Sequence, residues 1–497
     1  MRRRVPRGDV QRRGAPRPAA RQGARDRGRG LTADELWSAS AGRLAALIRS
    51  REVSSVEVVE ACLARIDAVN PRINAVVALA GDALDRARAA DARLAREGDT
   101  ADLGPLHGVP FTAKDSLDTA GLVTTAGTVG WRDRVPDRDA TVVARLRAAG
   151  AILLGKTNTP EFTWSDETDN DVYGRTNNPY DLERTPGGSS GGPAAIVAAG
   201  GAPFDIGSDT GDSIRQPAHV CGIAGIKPTS GRVPRTGHWP NFAGITGPLT
   251  QLGPMARRVD DLALVLPIIA GPDGDDPQIV PVELGRPEDV DIGDLRVVAF
   301  TDNGIRTPTP ETVSAVEAAA AAFEGGGARV EWQVPPGLDQ AWDLWNRLIL
   351  SDGYGWLRRL IDGAGTAGWG SYATRGWIDP EPPVAGDELS RILEAADTVR
   401  SRLLRWFTDS GADAILCPAM PQPAIRHGES NANWFGDTYS DVHNLTGWPA
   451  VVVRGGTAPG DLPIGVQLIA RPWREDVALA TARVVEAASG GWQRPNL

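Results

Sequence analysis

Two glycine-rich segments lie close together in the chain and constrain its fold more than any other feature. They are residues 187–192, with the sequence GGSSGG, and residues 207–217, with the sequence GSDTGDSIRQP. Between them, the small residues 193–199 predict a helix and residues 202–206 predict a short strand. Because glycine has no side chain, both segments can approach a common point closely. The turn around Gly211 can then expose consecutive backbone amides, which is the geometry of an oxyanion hole.

Lysine is rare in this chain, and its few positions are informative. Among 53 basic residues only three are lysines, Lys114, Lys156 and Lys227. A desolvated lysine can lose its proton, whereas arginine, with a pKa above ~12, cannot. Lys114 directly follows the apolar run 110–113, which predicts a strand. We therefore expect Lys114 to be desolvated and to serve as a base near neutral pH.

Short apolar runs alternate with helical patterns along most of the chain. Capping boxes that start at Thr32 and Ser54 predict helices that extend to about residues 49 and 69. Further helices are predicted at 141–149, 309–325, 388–408 and 475–488, and strands at 110–113, 151–154, 202–206, 296–300, 328–332, 414–417, 450–453 and 465–469. This alternation predicts an α/β fold around a mixed, largely parallel sheet.

Composition excludes several classes of function. Three cysteines that are far apart in sequence indicate neither a disulfide framework nor a zinc site, and they favour a reducing, cytoplasmic location. Five scattered histidines make a metal centre unexpected, and no cofactor is predicted. No stretch approaches the ~20 apolar residues of a membrane span.

The charge is distributed unevenly between the N-terminus and the rest of the chain. Eleven arginines oppose two aspartates in residues 1–30, although the whole chain carries a net charge of −10. We interpret residues 1–30 as a disordered extension, with a tether to nucleic acid or an anionic surface as the alternative. The acidic remainder, residues 31–497, argues against nucleic-acid binding by the folded part.

Two motif matches are misleading. Residues 150–157 fit the P-loop pattern, but the apolar residues between its glycines predict a buried strand, so we expect Lys156 to have a structural role. Residues 187–191 fit the nucleophile elbow of α/β-hydrolases. A loop interrupted by prolines precedes them instead of a strand. Because His427 or His443 could supply a base, an α/β-hydrolase-type esterase is kept as an alternative.

Several segments together resemble the amidase signature family. They are Lys114, the run 187–192, residues 209–217, residues 155–162, residues 225–229, residues 444–450 and residues 463–467. The resemblance spans roughly residues 31–497 and is densest over 100–260. It implies one large α/β/α domain and a Ser-cisSer-Lys triad, with Ser213 as nucleophile, Ser189 as bridging serine and Lys114 as base. It also implies an oxyanion hole formed by the amides of Thr210, Gly211, Asp212 and Ser213.

Other residues of the same segments receive supporting roles. Ser190 is the competitor of Ser189 and is ranked as a hydrogen-bonding neighbour, while Asp209 and Arg215 are expected to organise the loop. Asp212 occupies a position where many members of the family have glycine. An aspartate can replace glycine there without backbone strain if its φ is not positive. Its carboxylate must turn away from the oxyanion or pair, with Arg215 as the suggested partner.

The resemblance predicts a hydrolase of small amides that acts through an acyl-enzyme. In the family, residues corresponding to 162–173 and to the tryptophan-rich stretch 332–377 shape the substrate pocket, and Trp434 and Phe435 are further candidates. An aromatic pocket favours aryl amides, anilides or carbamates, with esterase side activity. The alternative is the glutaminase component (the A component) of an aminoacyl-tRNA amidotransferase. No nucleic-acid or membrane partner is expected, and a homodimer is one expectation for the assembly.

Overall fold

The computed structural model describes residues 31–98, 103–241, 244–372, 378, 382–430 and 439–497. The N-terminal segment 1–30, Trp377, Trp434 and Phe435, which figure in the sequence-based expectations, lie outside the described residues. The strands are β1 Val76–Leu79, β2 Pro110–Lys114, β3 Ile152–Thr157, β4 Phe204–Asp209, β5 Ala224–Lys227, β6 Gln251–Ala256, β7 Arg296–Ala299, β8 Arg329–Trp332, β9 Ala414–Pro418, β10 Ala450–Ala458 and β11 Leu462–Ala470.

The α-helices surround these strands. They are α1 Ala33–Ser38, α2 Ala41–Arg49, α3 Ser55–Ile73, α4 Ala83–Glu97, α5 Thr141–Ala148, α6 Gly191–Ala199, α7 Arg215–Val220, α8 Val259–Ile269, α9 Pro310–Gly325, α10 Leu338–Ile349, α11 Gly355–Ala364, α12 Gly386–Asp409, α13 Asp441–Thr446 and α14 Glu475–Ser489.

All the described strands join one sheet in the order β1-β3-β2-β4-β6-β5-β10-β11-β9-β7-β8. The α/β class and the mixed sheet are confirmed. The expectation that the sheet is largely parallel is not met, because four of the ten strand pairings in the described part of the chain are parallel and the other six are antiparallel. The parallel pairs form two groups, β3-β2-β4 and β9-β7-β8, and antiparallel strands fill the centre.

Helices cover both faces of the sheet. Successive residues of one strand enter different cores: Leu153 and Val451 pack with α2, α5, α8, α9 and α14, whereas Leu154 and Val452 pack with α3, α6 and α7 on the other face. The near-continuous apolar composition of the strands follows from this burial on both sides. A third cluster joins α10, α12 and α13 to β7, β9 and β11.

Local signals placed most helix starts correctly, and long-range contacts changed some helix ends. Both capping boxes form as predicted. The helix expected from Thr32 to about residue 49 divides in two, because Ser40 caps a new helix and the carboxylate of Asp261 accepts from the amides of Ala41 and Gly42. The helix expected to end near residue 69 continues through Pro71 to Ile73.

Candidate active site

Lys114 is the last residue of β2 and is completely buried. Phe111 and Ala113 belong to the core on one face of the sheet, so Lys114 projects toward the other face, where α6 and α7 lie. Its Nζ lies 2.7 Å from Ser189 Oγ, 2.9 Å from Ser190 Oγ and 3.0 Å from Ser208 Oγ. Burial lowers the pKa of Lys114 well below its ordinary value, although the charges of Asp209 and Asp205 act in the opposite direction.

The serine run 187–192 reaches Lys114 because its glycines permit close backbone contact. A Cβ on Gly188 would lie 2.3 Å from the carbonyl oxygen of Ser165, and one on Gly192 would lie 2.4 Å from the backbone nitrogen of Asn158. The peptide bond between Gly188 and Ser189 is cis. The Ser189 carbonyl accepts a hydrogen bond from Thr159 Oγ1 at 2.9 Å. The run therefore threads between two neighbouring segments and presents adjacent hydroxyls to the lysine.

Asp209 and Arg215 hold the loop that carries Ser213. Both side chains are completely buried and form an ion pair at 2.9 Å. The same carboxylate accepts from the backbone amide of Ile214 at 3.1 Å and from Asn444 Nδ2 at 2.9 Å. Burial by itself raises the pKa of Asp209, but Arg215 and these hydrogen bonds lower it below its ordinary value.

Asp212 adopts an ordinary backbone conformation, since it is not among the residues with positive φ. The suggestion that its carboxylate pairs with Arg215 is wrong, because the guanidinium of Arg215 is engaged by Asp209, by Gln467 and by backbone carbonyls. The Asp212 carbonyl accepts from the amide of Gln216 at 2.7 Å. This contact joins the loop to the start of α7.

Ser213 lies beside the serine run and at a cavity. The backbone amide of Ser190 donates to the carbonyl of Ser213 at 3.2 Å. A cavity of about 240 Å³ is lined by Thr163, Trp164, Ser165, Asp166, Thr210, Gly211, Asp212, Ser213, Trp345, Asn346, Ile349, Leu350, Tyr354 and Ser430. Among the described residues, the amides of Gly211 and Ser213 donate to no backbone acceptor.

Trp345 supports the amide-bearing loop. Its Nε1 donates to the carbonyl of Thr210 at 3.2 Å. A Cβ on Gly211 would lie 3.0 Å from the Trp345 ring and 2.9 Å from Asp441 Oδ1. Only glycine fits this position without displacement of its neighbours, so the loop and the aromatic wall are built against each other.

The rings of Trp164, Trp345 and Tyr354 line the cavity, but most of its lining is polar, in contrast to the expected apolar pocket, and few of the expected tryptophans form it. Trp164 lies edge-on to Tyr354 and to Trp356, with ring centroids 6.2 and 5.2 Å apart. Of the tryptophans in the stretch 332–377, Trp345 lines the cavity, whereas Trp332 is 53% exposed. The number of tryptophans alone did not distinguish pocket residues from surface residues.

The other two lysines take structural positions. Lys156 donates to the carbonyl of Leu117 and, at 2.9 Å, to Thr119 Oγ1. It lies on β3, so residues 150–157 do not form a phosphate-binding loop. Lys227 donates to the carbonyl of Pro228 at 3.1 Å. Burial lowers the pKa of Lys156 to about 8 and that of Lys227 to about 7.

The α/β-hydrolase alternative has no geometric support. Ser189 contacts Lys114 and follows the loop 178–188 instead of a strand. Neither His427 nor His443 lines the cavity at Ser213. His427 lies 3.9 Å from Glu167, and burial holds the pKa of His443 well below its ordinary value.

The sequence predictions missed two contributors to this region. Ser208 contacts Lys114 directly, and its place near the end of β4, just after Gly207, was the available signal. Glu167 accepts hydrogen bonds from Gly428 and Ser430, which are distant in sequence, so the residues around Glu167 do not predict this contact.

Metal-ligating side chains do not cluster in the described ranges, where no group of three or more His, Cys, Asp or Glu residues is arranged to bind a metal ion. No helix among those ranges combines the length and apolar character needed to span a bilayer.

Comparison with known proteins gives consistent matches. The family model described as Amidase matches residues 57–479. The chain is 35% identical over 484 residues to the A component of glutamyl-tRNA(Gln) amidotransferase from Carboxydothermus hydrogenoformans, with 91% of this chain and 97% of the relative covered. It is also 35% identical over 470 residues to indoleacetamide hydrolase of Bradyrhizobium diazoefficiens, with 92% and 87% covered. The structure of a bacterial aryl acylamidase of the amidase signature family superposes with a TM-score of 0.78 at 26% identity, covering 91% of this chain and 96% of the other.

Proposed function

The chain belongs to the amidase family, and from this premise we propose that it hydrolyses the C–N bond of small-molecule amides with Ser213 as nucleophile, Ser189 as bridging serine and Lys114 as base. The observation that carries the proposal is the contact between the buried amine of Lys114 and the hydroxyl of Ser189. The next residue, Ser190, donates its backbone amide to the carbonyl of Ser213, so the proposed nucleophile lies beside this pair. A buried lysine surrounded by hydroxyls instead of carboxylates is suited to act as a neutral base.

The proton relay follows from the hydrogen-bonding capacity of these groups. Neutral Lys114 accepts the proton of Ser189 while Ser189 accepts that of Ser213, and Ser213 Oγ attacks the substrate carbonyl carbon. The amides of the 210–213 loop stabilise the oxyanion. The tetrahedral intermediate then expels the amine, which takes a proton back through Ser189 from Lys114. The same relay then activates a water, which releases the acid and regenerates Ser213.

The surroundings of Lys114 support this alternation between protonation states. Protonated Lys114 has three N–H groups for the three hydroxyls of Ser189, Ser190 and Ser208. Neutral Lys114 has two N–H groups and one lone pair. Ser190 Oγ already contacts the backbone amide and carbonyl of Ser208. Ser190 and Ser208 therefore accept the two N–H groups, and the lone pair faces Ser189.

The rings in the lining of the cavity support a substrate that carries an aromatic group. Among the described lining residues, none is a lysine, arginine or histidine, whereas Trp164, Trp345 and Tyr354 contribute rings. An aryl amide, anilide or carbamate buries apolar area there, and esters of the same shape fit equally well. Glutamine, the ammonia source of the amidotransferase alternative, would bring a carboxylate that meets no described cation in the lining and an ammonium group that Asp166 and Asp212 attract, so the lining does not decide between the two activities.

The likeness to an amidotransferase component keeps that alternative in the test. The lone purified chain is expected to cleave aryl amides, such as chromogenic anilides, without a partner protein, and the Ser213→Ala variant is expected not to. Release of ammonia from glutamine that depends on added partner proteins, together with no cleavage of anilides, carbamates or esters, would support the amidotransferase instead.

A further inference from the structure

Glu167 joins two segments that are distant in sequence. Its side chain is buried, and both carboxylate oxygens accept from the amide of Gly428, at 2.9 and 3.0 Å. One of them also accepts from the amide of Ser430 at 3.2 Å. Burial by itself raises the pKa of Glu167, but its hydrogen bonds lower it below the ordinary value, so the group is a carboxylate near neutral pH.

The segment that carries Glu167 also lies against the serine run. Thr168 Oγ1 donates to the carbonyl of Gly187 at 2.9 Å and accepts from the amide of Gly191 at 3.1 Å. A Cβ on Gly188 would lie 2.7 Å from the backbone nitrogen of Glu167. Movement of residues 165–168 is therefore restricted by the backbone that presents Ser189 to Lys114.

The other end of this connection is a wall of the cavity. Ser430 lines the cavity that contains Ser213, as do residues 163–166, which directly precede Glu167. The hydrogen bonds of the Glu167 carboxylate therefore hold the 428–430 turn in place relative to the serine run. A charged acceptor for two backbone amides is stronger than a neutral one and holds the turn firmly.

We propose that Glu167 is a positioning residue that sets the size of the substrate group accepted beside Ser213, by holding Ser430 in the cavity wall. This inference rests on the proposed amidase function. Glutamine has the same shape as glutamate but only one acceptor oxygen, and its amide nitrogen would face an N–H group. In Glu167→Gln the turn is expected to move, so that binding of bulky groups changes while the relay of Ser213, Ser189 and Lys114 remains intact.

The test compares pairs of substrates on the same enzyme sample. The full-length chain and its Glu167→Gln and Glu167→Asp variants are assayed with two pairs of anilides, one pair with a small and a bulky acyl group and one with a small and a bulky amine. A ratio of two substrates measured on one sample does not depend on the folded fraction. The control is Glu475→Gln, since Glu475 is also buried and accepts from a backbone amide, that of Thr229 at 3.0 Å, does not line the cavity, and in addition pairs with Arg232 at 3.0 Å.

Glu167→Gln is expected to raise KM at least about tenfold for the bulky member of one pair, since the loss of one charge-assisted hydrogen bond changes a binding constant by about this factor. The KM values of the small members and all kcat values are expected to change less than about threefold. Glu167→Asp, which keeps the charge at shorter reach, is expected to lie between the wild type and Glu167→Gln. Glu475→Gln is expected to lower Tm without changing either ratio. Unchanged ratios in Glu167→Gln, or an equal loss for all four substrates, overturn the inference and leave the amidase function standing. If the wild-type chain cleaves none of the four, the proposed function fails and this inference fails with it.

Discussion

The side-chain nitrogen of Lys114 lies 2.7 Å from the hydroxyl oxygen of Ser189, and both groups are excluded from solvent. The contact joins the end of a strand to a loop whose residues are 75 positions away in the chain. Because no carboxylate among the described residues is hydrogen-bonded to the amine, its proton is held by hydroxyls alone. Burial therefore lowers the pKa of this lysine, and the charges of Asp209 and Asp205, which do not contact the amine, offset only part of that effect.

Substitution of the relay residues tests the proposed mechanism. Ser213→Ala and Lys114→Ala are each expected to lower kcat/KM by at least ~10³, as removal of one member of a catalytic unit does. Lys114→Arg is expected to be as damaging as Lys114→Ala, because an arginine keeps the charge but stays protonated near neutral pH and so cannot accept the proton of Ser189. Steady-state kinetics with an anilide measure this, with circular dichroism as the control for folding. An active Lys114→Arg variant would show that Lys114 is not the base.

The dependence of kcat/KM on pH reports the protonation of Lys114. Burial lowers its pKa well below the ordinary lysine value, so the neutral form is expected to be populated around neutral pH. Activity should rise on an acid limb and reach a plateau well below pH ~10. The profile of kcat/KM from mildly acidic to alkaline pH measures this. A rate that continues to rise through the ordinary lysine pKa of ~10.4 would contradict it.

The buried pair of Asp209 and Arg215 is expected to be costly to break. Asp209→Asn leaves the guanidinium buried beside a neutral group, and we expect a loss of about 3–5 kcal/mol in the free energy of unfolding. The control is Asp260→Asn, whose carboxylate pairs with Arg483 but is 72% exposed, with an expected loss below ~1 kcal/mol. Urea unfolding followed by tryptophan fluorescence measures both. Equal losses would show that the buried pair is not the main support of the loop.

Lys227 is expected to make stability depend on pH. Burial lowers its pKa to about 7 in the folded protein, whereas the unfolded chain keeps the ordinary value. Between these values the unfolded state binds more protons, so stability rises with pH by up to ~1.4 kcal/mol per pH unit. Lys227→Met removes this contribution, and its stability relative to the wild type should fall between pH ~7.5 and ~8.5. Urea unfolding at both pH values measures the difference, and a constant difference would mean that Lys227 is charged in the fold.

Trp345 is expected to affect catalysis through the loop that it supports. Trp345→Phe keeps a ring but loses the hydrogen bond to the Thr210 carbonyl, and we expect kcat/KM to fall about tenfold, which corresponds to one hydrogen bond. Trp342→Phe is the control, because Trp342 lies on the same helix and does not line the cavity. Similar effects of the two substitutions would indicate general loosening of α10.

Local signals were sufficient where a structure depends on neighbouring residues. The capping boxes at Thr32 and Ser54 and the strand before Lys114 needed no tertiary information. The glycine spacing in 187–192 and 207–217 correctly indicated that two backbones meet, since Ser190 and Ser213 are hydrogen-bonded through their main chains.

Other features depend on contacts between distant segments and were not accessible from the sequence. The pairing of β5 with β10 and that of β4 with β6 join segments that are distant in sequence and make the sheet more antiparallel than alternation suggested. The break between α1 and α2 depends on Asp261, which is 220 residues away from Ala41. The suggested pairing of Asp212 with Arg215 was wrong for a different reason: Asp209 and Asp212 are both near Arg215 in sequence, and only the fold shows that the carboxylate of Asp209 reaches the buried guanidinium.

The relay and the aromatic wall come from separate parts of the chain. Lys114, the serine run and Ser213 lie near the ends of β2 and β4, whereas Trp345 belongs to α10, which packs with other strands of the sheet, and Tyr354 directly precedes α11. Exchange of wall residues that do not support the 210–213 loop, such as Tyr354, therefore need not disturb the proton-transfer geometry. Divergence of substrate range during evolution, and directed evolution in the laboratory, can both proceed in residues 346–354 while the proposed reaction chemistry is retained.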